Sequence, residues 1–183
     1  LQDPEFNVTA NFGIKYSQNQ TYERAVYPSD VRYNELAGGD ALEVYIRYQI
    51  ILRNEATTLT STIRQISNYY DERYTIQNIT DENGNALTYE EQNYDGEGYN
   101  KINIDVSREI PPETQAYVYI EYKLNDEAIA SILSNQMTLE SVSEIISYST
   151  VDSTGAVYAG IDKDSAPDNA DITNTDTYED DTD

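Results

Sequence analysis

From Val8 onward, apolar side chains fall on even positions, at Val8, Ala10, Phe12, Ile14 and Tyr16, while Asn7, Thr9, Asn11, Gly13 and Lys15 take the odd ones. A two-residue period puts one set of side chains on each face of a pleated strand, so this segment is predicted to be a strand with one buried face. The same rhythm returns at Leu42, Val44, Ile46, Tyr48, Ile50 and Leu52, at Ile102, Ile104 and Val106, and at Ala116, Val118, Ile120, Tyr122 and Leu124. Leu59–Ile66, closed by Tyr69-Tyr70-Asp71, and Tyr74–Ile79 read as further strands. So do a start at Ala86–Tyr89, a last long strand at Val142–Tyr148 and a short one at Ala156–Ile161. Tyr22–Tyr33, interrupted by Pro28, reads as short edge strands.

Turns fall between these runs. Gly38-Gly39-Asp40, Asp81-Glu82-Asn83-Gly84-Asn85 and Pro111-Pro112 punctuate the chain, Glu90–Gly98 reads as an acidic loop, and Asn-Gly predicts a hairpin. One helix is expected, capped by Asp126 and running through Ala128, Ile129, Ile132 and Leu133. Short strands separated by turns at this spacing predict an all-β fold, an Ig-like antiparallel β-sandwich with one short helix and an acidic C-terminal extension. Residues 7–150 are assigned to the sandwich and 151–183 to an acidic linker. The chain starts with Leu1, not Met, and residues 1–6 back-translate into three consecutive cloning sites, so they are expected to be vector-derived and the chain to be a piece of something longer.

Composition narrows the chemistry. The 34 Asp and Glu against 11 Lys and Arg give a formal net charge of −23, which repels nucleic acid and anionic membrane surfaces. No Cys, His or Trp occurs, so nucleophilic thiols, imidazole acid-base chemistry and soft metal ligands are missing. Paired carboxylates could act alone, but none lies in a recognisable motif, and the chain is read as non-catalytic. Without an apolar run of about 20 residues, no membrane-inserted helix is expected.

Three candidate sites remain. Asp162, Asp164, Asp168, Asn169 and Asp171 offer oxygen ligands at alternating positions, which suits calcium; the segment lacks the Gly and closing Glu of an EF-hand, and a self-repelling solvated linker is the plainer account. Tyr45, Tyr117 and Tyr119 fall on the polar face of their strands, where they could line a groove for a glycan or a host protein; ordinary cross-strand pairing is the plainer account. Lys15 is the candidate for a Lys–Asn isopeptide cross-link, which needs a desolvated amine beside a carboxyl group, although its odd register puts it on the wrong face.

Leu42–Asn54 (LEVYIRYQIILRN) followed by Tyr69-Tyr70-Asp71 resembles the Ig-like repeat modules of large cell-wall-anchored surface proteins of Gram-positive bacteria. Ile146–Thr150, Tyr158–Pro167 and Tyr178–Asp183 resemble the segments between such repeats. The resemblance implies a stalk or adhesin repeat, extracellular and cell-wall-anchored, whose partners are neighbouring repeats of the same polypeptide. No cofactor is expected, calcium apart, and this chain departs from the cross-linked members in having no inward Lys with a matching Asn and carboxylate.

Overall fold

The computed structural model describes residues 6–15, 21–24, 43–134, 139–152, 154–158 and 170. Ten strands and one helix follow in chain order: β1 (Phe6–Lys15), β2 (Glu23–Arg24), β3 (Tyr45–Asn54), β4 (Thr60–Asp71), β5 (Tyr74–Asp81), β6 (Tyr89–Gln92), β7 (Tyr99–Ile110), β8 (Gln115–Leu124), α1 (Asp126–Leu133), β9 (Ser141–Val151) and β10 (Val157–Tyr158). One sheet has the order β2-β1-β3-β8-β5 and the other β10-β9-β4-β7-β6, and every pairing is antiparallel. The fold is therefore the predicted antiparallel β-sandwich with one short helix. The expected boundary after residue 150 falls at the end of β9, and β10 lies beyond it, paired to Val151 and Thr150.

Alternation explains the core. Val44, Ile46, Tyr48, Ile50 and Leu52 of the β3 run face Ala116, Val118, Ile120, Tyr122 and Leu124 of β8 in register, and all are buried. Ile63, Ile66, Ile102, Ile104, Ile110 and Ile145 of the second sheet close over them. The β3–β4 and β7–β8 connections both cross between the sheets at one end of the sandwich, the first pole. There Asn54, fully buried, donates to the carbonyls of Leu59 (2.8 Å) and Ile110 (2.9 Å) and accepts from the Ala56 amide (3.1 Å).

The second pole is aromatic. Tyr122 packs its ring against Tyr70 (5.1 Å), Tyr74 (5.6 Å) and Tyr48 (6.0 Å). Its hydroxyl donates across the sandwich to Asn68, whose amide nitrogen lies 2.8 Å from Ser141 Oγ and 2.9 Å from Ser143 Oγ on β9. Ala128, Ile129 and Ile132 of α1 cover this pole. The helix cap is Asn125, which accepts from the Ala128 amide at 2.9 Å, and not Asp126 as expected; Asp126 sits in the first turn, where its charge faces the positive end of the helix dipole.

The expected hairpin at Asp81–Asn85 is a turn of a different kind. A single bridge, Thr80 to Ala86, closes it, and the chain then leaves the first sheet to form β6 in the second. Asp81 organises the loop by accepting from the amides of Asn83 (2.8 Å) and Asn85 (2.9 Å), with Gly84 at φ +82°. Asp152 repeats the device between β9 and β10, accepting from the amides of Thr154 and Ala156, with Gly155 at φ +83°. The two segments share the pattern Asp-x-x-Gly-x, in which only glycine takes the left-handed step without strain.

These bonds, first the Asn85 side chain for Asp81 and the Thr154 hydroxyl for Asp152, hold both carboxyls below the usual Asp range. A depressed folded-state pKa contributes stability above the unfolded value, and that contribution is lost as pH falls through the folded value. Asp81→Asn keeps an acceptor but removes the titration. The stability gap between wild type and Asp81→Asn, measured by urea unfolding, is expected to shrink on going from pH 7 to below about pH 4. A gap independent of pH would mean that Asp81 contributes equally in both states.

Candidate functional site

The outer face of the first sheet holds the three tyrosines and the lysine picked out by alternation, in two groups. Tyr45 is opposite both Lys15 of β1 and Lys123 of β8, and both ammonium groups lie over its ring, at 5.0 and 5.6 Å. Although it faces outward, Tyr45 is 1% exposed, so it is not a groove residue: strand alternation assigns a face, and the two lysine ammonium groups lie over that face here. Its hydroxyl donates to Glu43 at 3.1 Å, and Lys123 pairs with the same carboxylate, an interaction that raises the lysine's pKa and lowers that of Glu43.

Lys15 is buried on the outer face, over the rings of Tyr22 and Tyr45 and 3.4 Å from Glu121 Oε2. Tyr22 donates to that same carboxylate; burial and then the Glu121 charge push its phenol well above the ordinary range. Lys15 thus lies on the side of the sheet that its register predicted, but is buried there in a cage of an ion pair and two aromatic faces.

Tyr117 and Tyr119 are half-buried and nearly parallel, with centroids 6.5 Å apart. The Arg47 guanidinium lies 5.2 Å from the Tyr119 ring and 4.5 Å from that of Tyr22, Gln49 donates to the Tyr119 hydroxyl at 2.9 Å, and Gln115 donates to Tyr117. Tyr119 is engaged by Arg47 and Gln49 of the adjoining β3, and Tyr117 by Gln115 and Tyr119 of its own strand, so these contacts stabilise the sheet.

A second arrangement, which alternation did not single out, lies where β6 edges the second sheet. A cleft of about 210 Å³ is lined by Tyr70 of β4, Glu91 and Gln92 of β6, and Asn100 and Lys101 of β7. Tyr70 pairs with Asn100, and Glu91 with Ile102, so the β4–β7–β6 ladder brings together residues from three separate stretches. Burial, then the charge of Glu91, raises the Tyr70 phenol above its usual value. Tyr89, two residues before Glu91 on the same side of β6, is 40% exposed and close enough to Tyr70 to add to the rise of its phenol.

No protein-family model matches the chain, and no curated protein matches it in sequence. Among solved structures it is similar to a non-cellulosomal cohesin from the hyperthermophilic archaeon Archaeoglobus fulgidus, at 10% identity over 62% of this chain and 71% of that one, with a TM-score of 0.31. It is also similar to a family 3b carbohydrate-binding module from the biomass-sensing system of Clostridium clariflavum, at 14% identity over 82% of this chain and 96% of that one, with a TM-score of 0.34. Likeness at this level leaves the site to be read from its own residues.

The calcium candidates Asp162, Asp164, Asp168, Asn169 and Asp171 lie outside the described residues. Among the described residues no three carboxylates are grouped to hold a metal ion, and no helix is long and apolar enough to cross a membrane. Within the candidate tail segment only Ala170 is described. Its amide donates to Glu144 Oε1 at 3.1 Å, on a carboxylate that is fully buried although it shares a strand face with Val142, and it packs beside Tyr69 and Val142 near the second pole.

Proposed function

We propose that this chain is a non-catalytic spacer, one repeat of an extracellular, cell-wall-anchored stalk, joined to neighbouring repeats of the same polypeptide and carrying tension along its length. The observation that carries the reading is the position of two described residues, Phe6 and Ala170. Phe6 begins β1 at the first pole, opposite Asn54, whereas Ala170 lies towards the second pole beside Val142 and Tyr69. Load applied between them runs parallel to the strands. All ten β1–β3 register pairs, Phe6↔Asn54 to Lys15↔Tyr45, are then sheared together and not peeled one at a time. The resemblance of the Leu42–Asn54 and Tyr158–Pro167 segments to stalk repeats supports the same reading, as does a residue set without thiol or imidazole.

Single-molecule pulling tests it, and the absence of native Cys makes handles simple to place. Forced unfolding reports the rate of crossing the unfolding barrier. With cysteines at Asn7 and Ala170 the chain is expected to rupture in one cooperative event. The force should clearly exceed that for handles at Asn7 and Pro112, which sit at the same pole and peel β1 from its end. Equal forces in the two geometries, or loss of β1 ahead of the main event in the lengthwise pull, would overturn the spacer reading.

A further inference from the structure

We propose that the cleft at the β6 edge is a saccharide-binding site that takes one neutral sugar ring, with Tyr89 as the stacking face and Glu91, Asn100 and the Tyr70 hydroxyl as hydrogen-bonding partners of the sugar hydroxyls. The proposal goes beyond the spacer reading and does not depend on it.

Three observations carry it. First, three of the polar side chains lining the cleft are uncommitted, whereas Gln92 donates to the Glu90 carbonyl and Lys101 lies over Tyr69. On the outer face of the first sheet Gln49, Gln115, Glu43, Glu121, Lys15 and Lys123 are all paired to neighbours. Around the cleft, by contrast, the Tyr70 hydroxyl, the Glu91 carboxylate and the Asn100 carboxamide make no hydrogen bond within the described residues. A concave site with convergent, uncommitted polar groups beside an aromatic ring is the usual form of a small-molecule site.

Second, size selects the ligand. About 210 Å³ is below the roughly 300–1,000 Å³ of drug-sized pockets, and suits a single ring. Third, charge selects among small ligands. Glu91 and the net charge of −23 disfavour an anion, Lys101 in the lining disfavours a cation, and the polar lining leaves little for an apolar compound. A neutral polyhydroxy ring satisfies donors and acceptors together, and its C–H face can lie on the exposed Tyr89 ring, which has an apolar body and a polar tip. Tyr89 and Asn100 are both exposed, so replacing either leaves the core intact.

The test is an amide-resolved NMR titration of the full chain with glucose, galactose, mannose and N-acetylglucosamine, each to tens of millimolar. Saturable shifts at the amides of Tyr70, Glu91 and Asn100 are expected with at least one sugar. Tyr89→Ala and Asn100→Ala should each weaken that binding by about tenfold, through lost stacking and an unmatched sugar hydroxyl, while Tyr117→Ala leaves it unchanged. Any of four outcomes overturns the assignment: no saturable shift with any of the sugars, shifts centred on Tyr117 and Tyr119, undiminished affinity in both cleft variants, or a response to free arginine and to no sugar. None of these bears on the pulling experiment, which reads the β1–β3 ladder on the other sheet.

Discussion

Asn68→Ala is expected to destabilise the protein by about 3–5 kcal/mol, the largest effect of any single polar substitution proposed here. Asn68 is fully buried, and its amide ties β4 to Ser141 and Ser143 of β9 while its oxygen receives the Tyr122 hydroxyl from the opposite sheet. Truncation strands that buried hydroxyl, at about 1–3 kcal/mol for one buried unsatisfied group, and leaves a void beside it. Against a total of roughly 5–15 kcal/mol, this corresponds to a fall in melting temperature on the order of 10 °C. Tyr122→Phe removes the stranded donor while keeping the ring packed on Tyr70, Tyr74 and Tyr48. The double variant should therefore be more stable than the sum of the singles predicts, by about 1–2 kcal/mol. Strict additivity in urea unfolding would show that the two side chains do not act as a pair across the sandwich.

Asn54→Ala is the counterpart at the other pole, with an expected cost of about 2–4 kcal/mol. One carboxamide holds the β3–β4 connection through Ala56 and Leu59 and the end of β7 through Ile110, while the Asn54 amide donates to Thr114 and the Glu113 amide to Ala56. Removing it unpairs carbonyls that have no route to solvent. The loss should be local before it is global: hydrogen exchange is expected to quicken at Ala56 and Glu113 while the amides of α1 at the far pole keep their protection. Uniform acceleration over the whole chain would mean that Asn54 acts on global stability alone and does not fasten the two crossings.

What could be read in advance follows from where alternation runs unbroken. β3 and β8 keep one parity from Val44 to Leu52 and from Ala116 to Leu124, so their faces were legible residue by residue. β4 does not. Its register with β7 shifts between Ile63 and Gln65, where Ser107 takes φ +47°, and the inward parity passes from Ser61 and Ile63 to Ile66, Asn68 and Tyr70. β9 makes the matching change between Ile145 and Tyr148. A bulge inserts one residue and turns every later side chain over, which a two-residue period cannot anticipate. Asn68, within Ser67-Asn68, consequently gave no sign of belonging to the core.

The functional surfaces were harder for a different reason. Alternation placed Tyr45, Tyr117 and Tyr119 on one face correctly, but exposure depends on what the neighbouring strands lay over that face, and Lys15 and Lys123 cover Tyr45. Glu91 reads as part of an acidic loop in the sequence, whereas it lies in β6, a strand of only four residues paired with β7. Tyr70, Glu91 and Asn100 are far apart along the chain, and only the strand pairing makes them neighbours.

The rims of the two sheets are built to discourage company. At the borders that are described on both sides, β6 has four residues and β5 is bulged between Ile76 and Asn78. Truncated or kinked borders give a foreign strand little backbone to zip onto. In the proposed stalk, where many copies would be tethered within millimolar reach of one another, that blunting would keep each folded unit separate after overstretching.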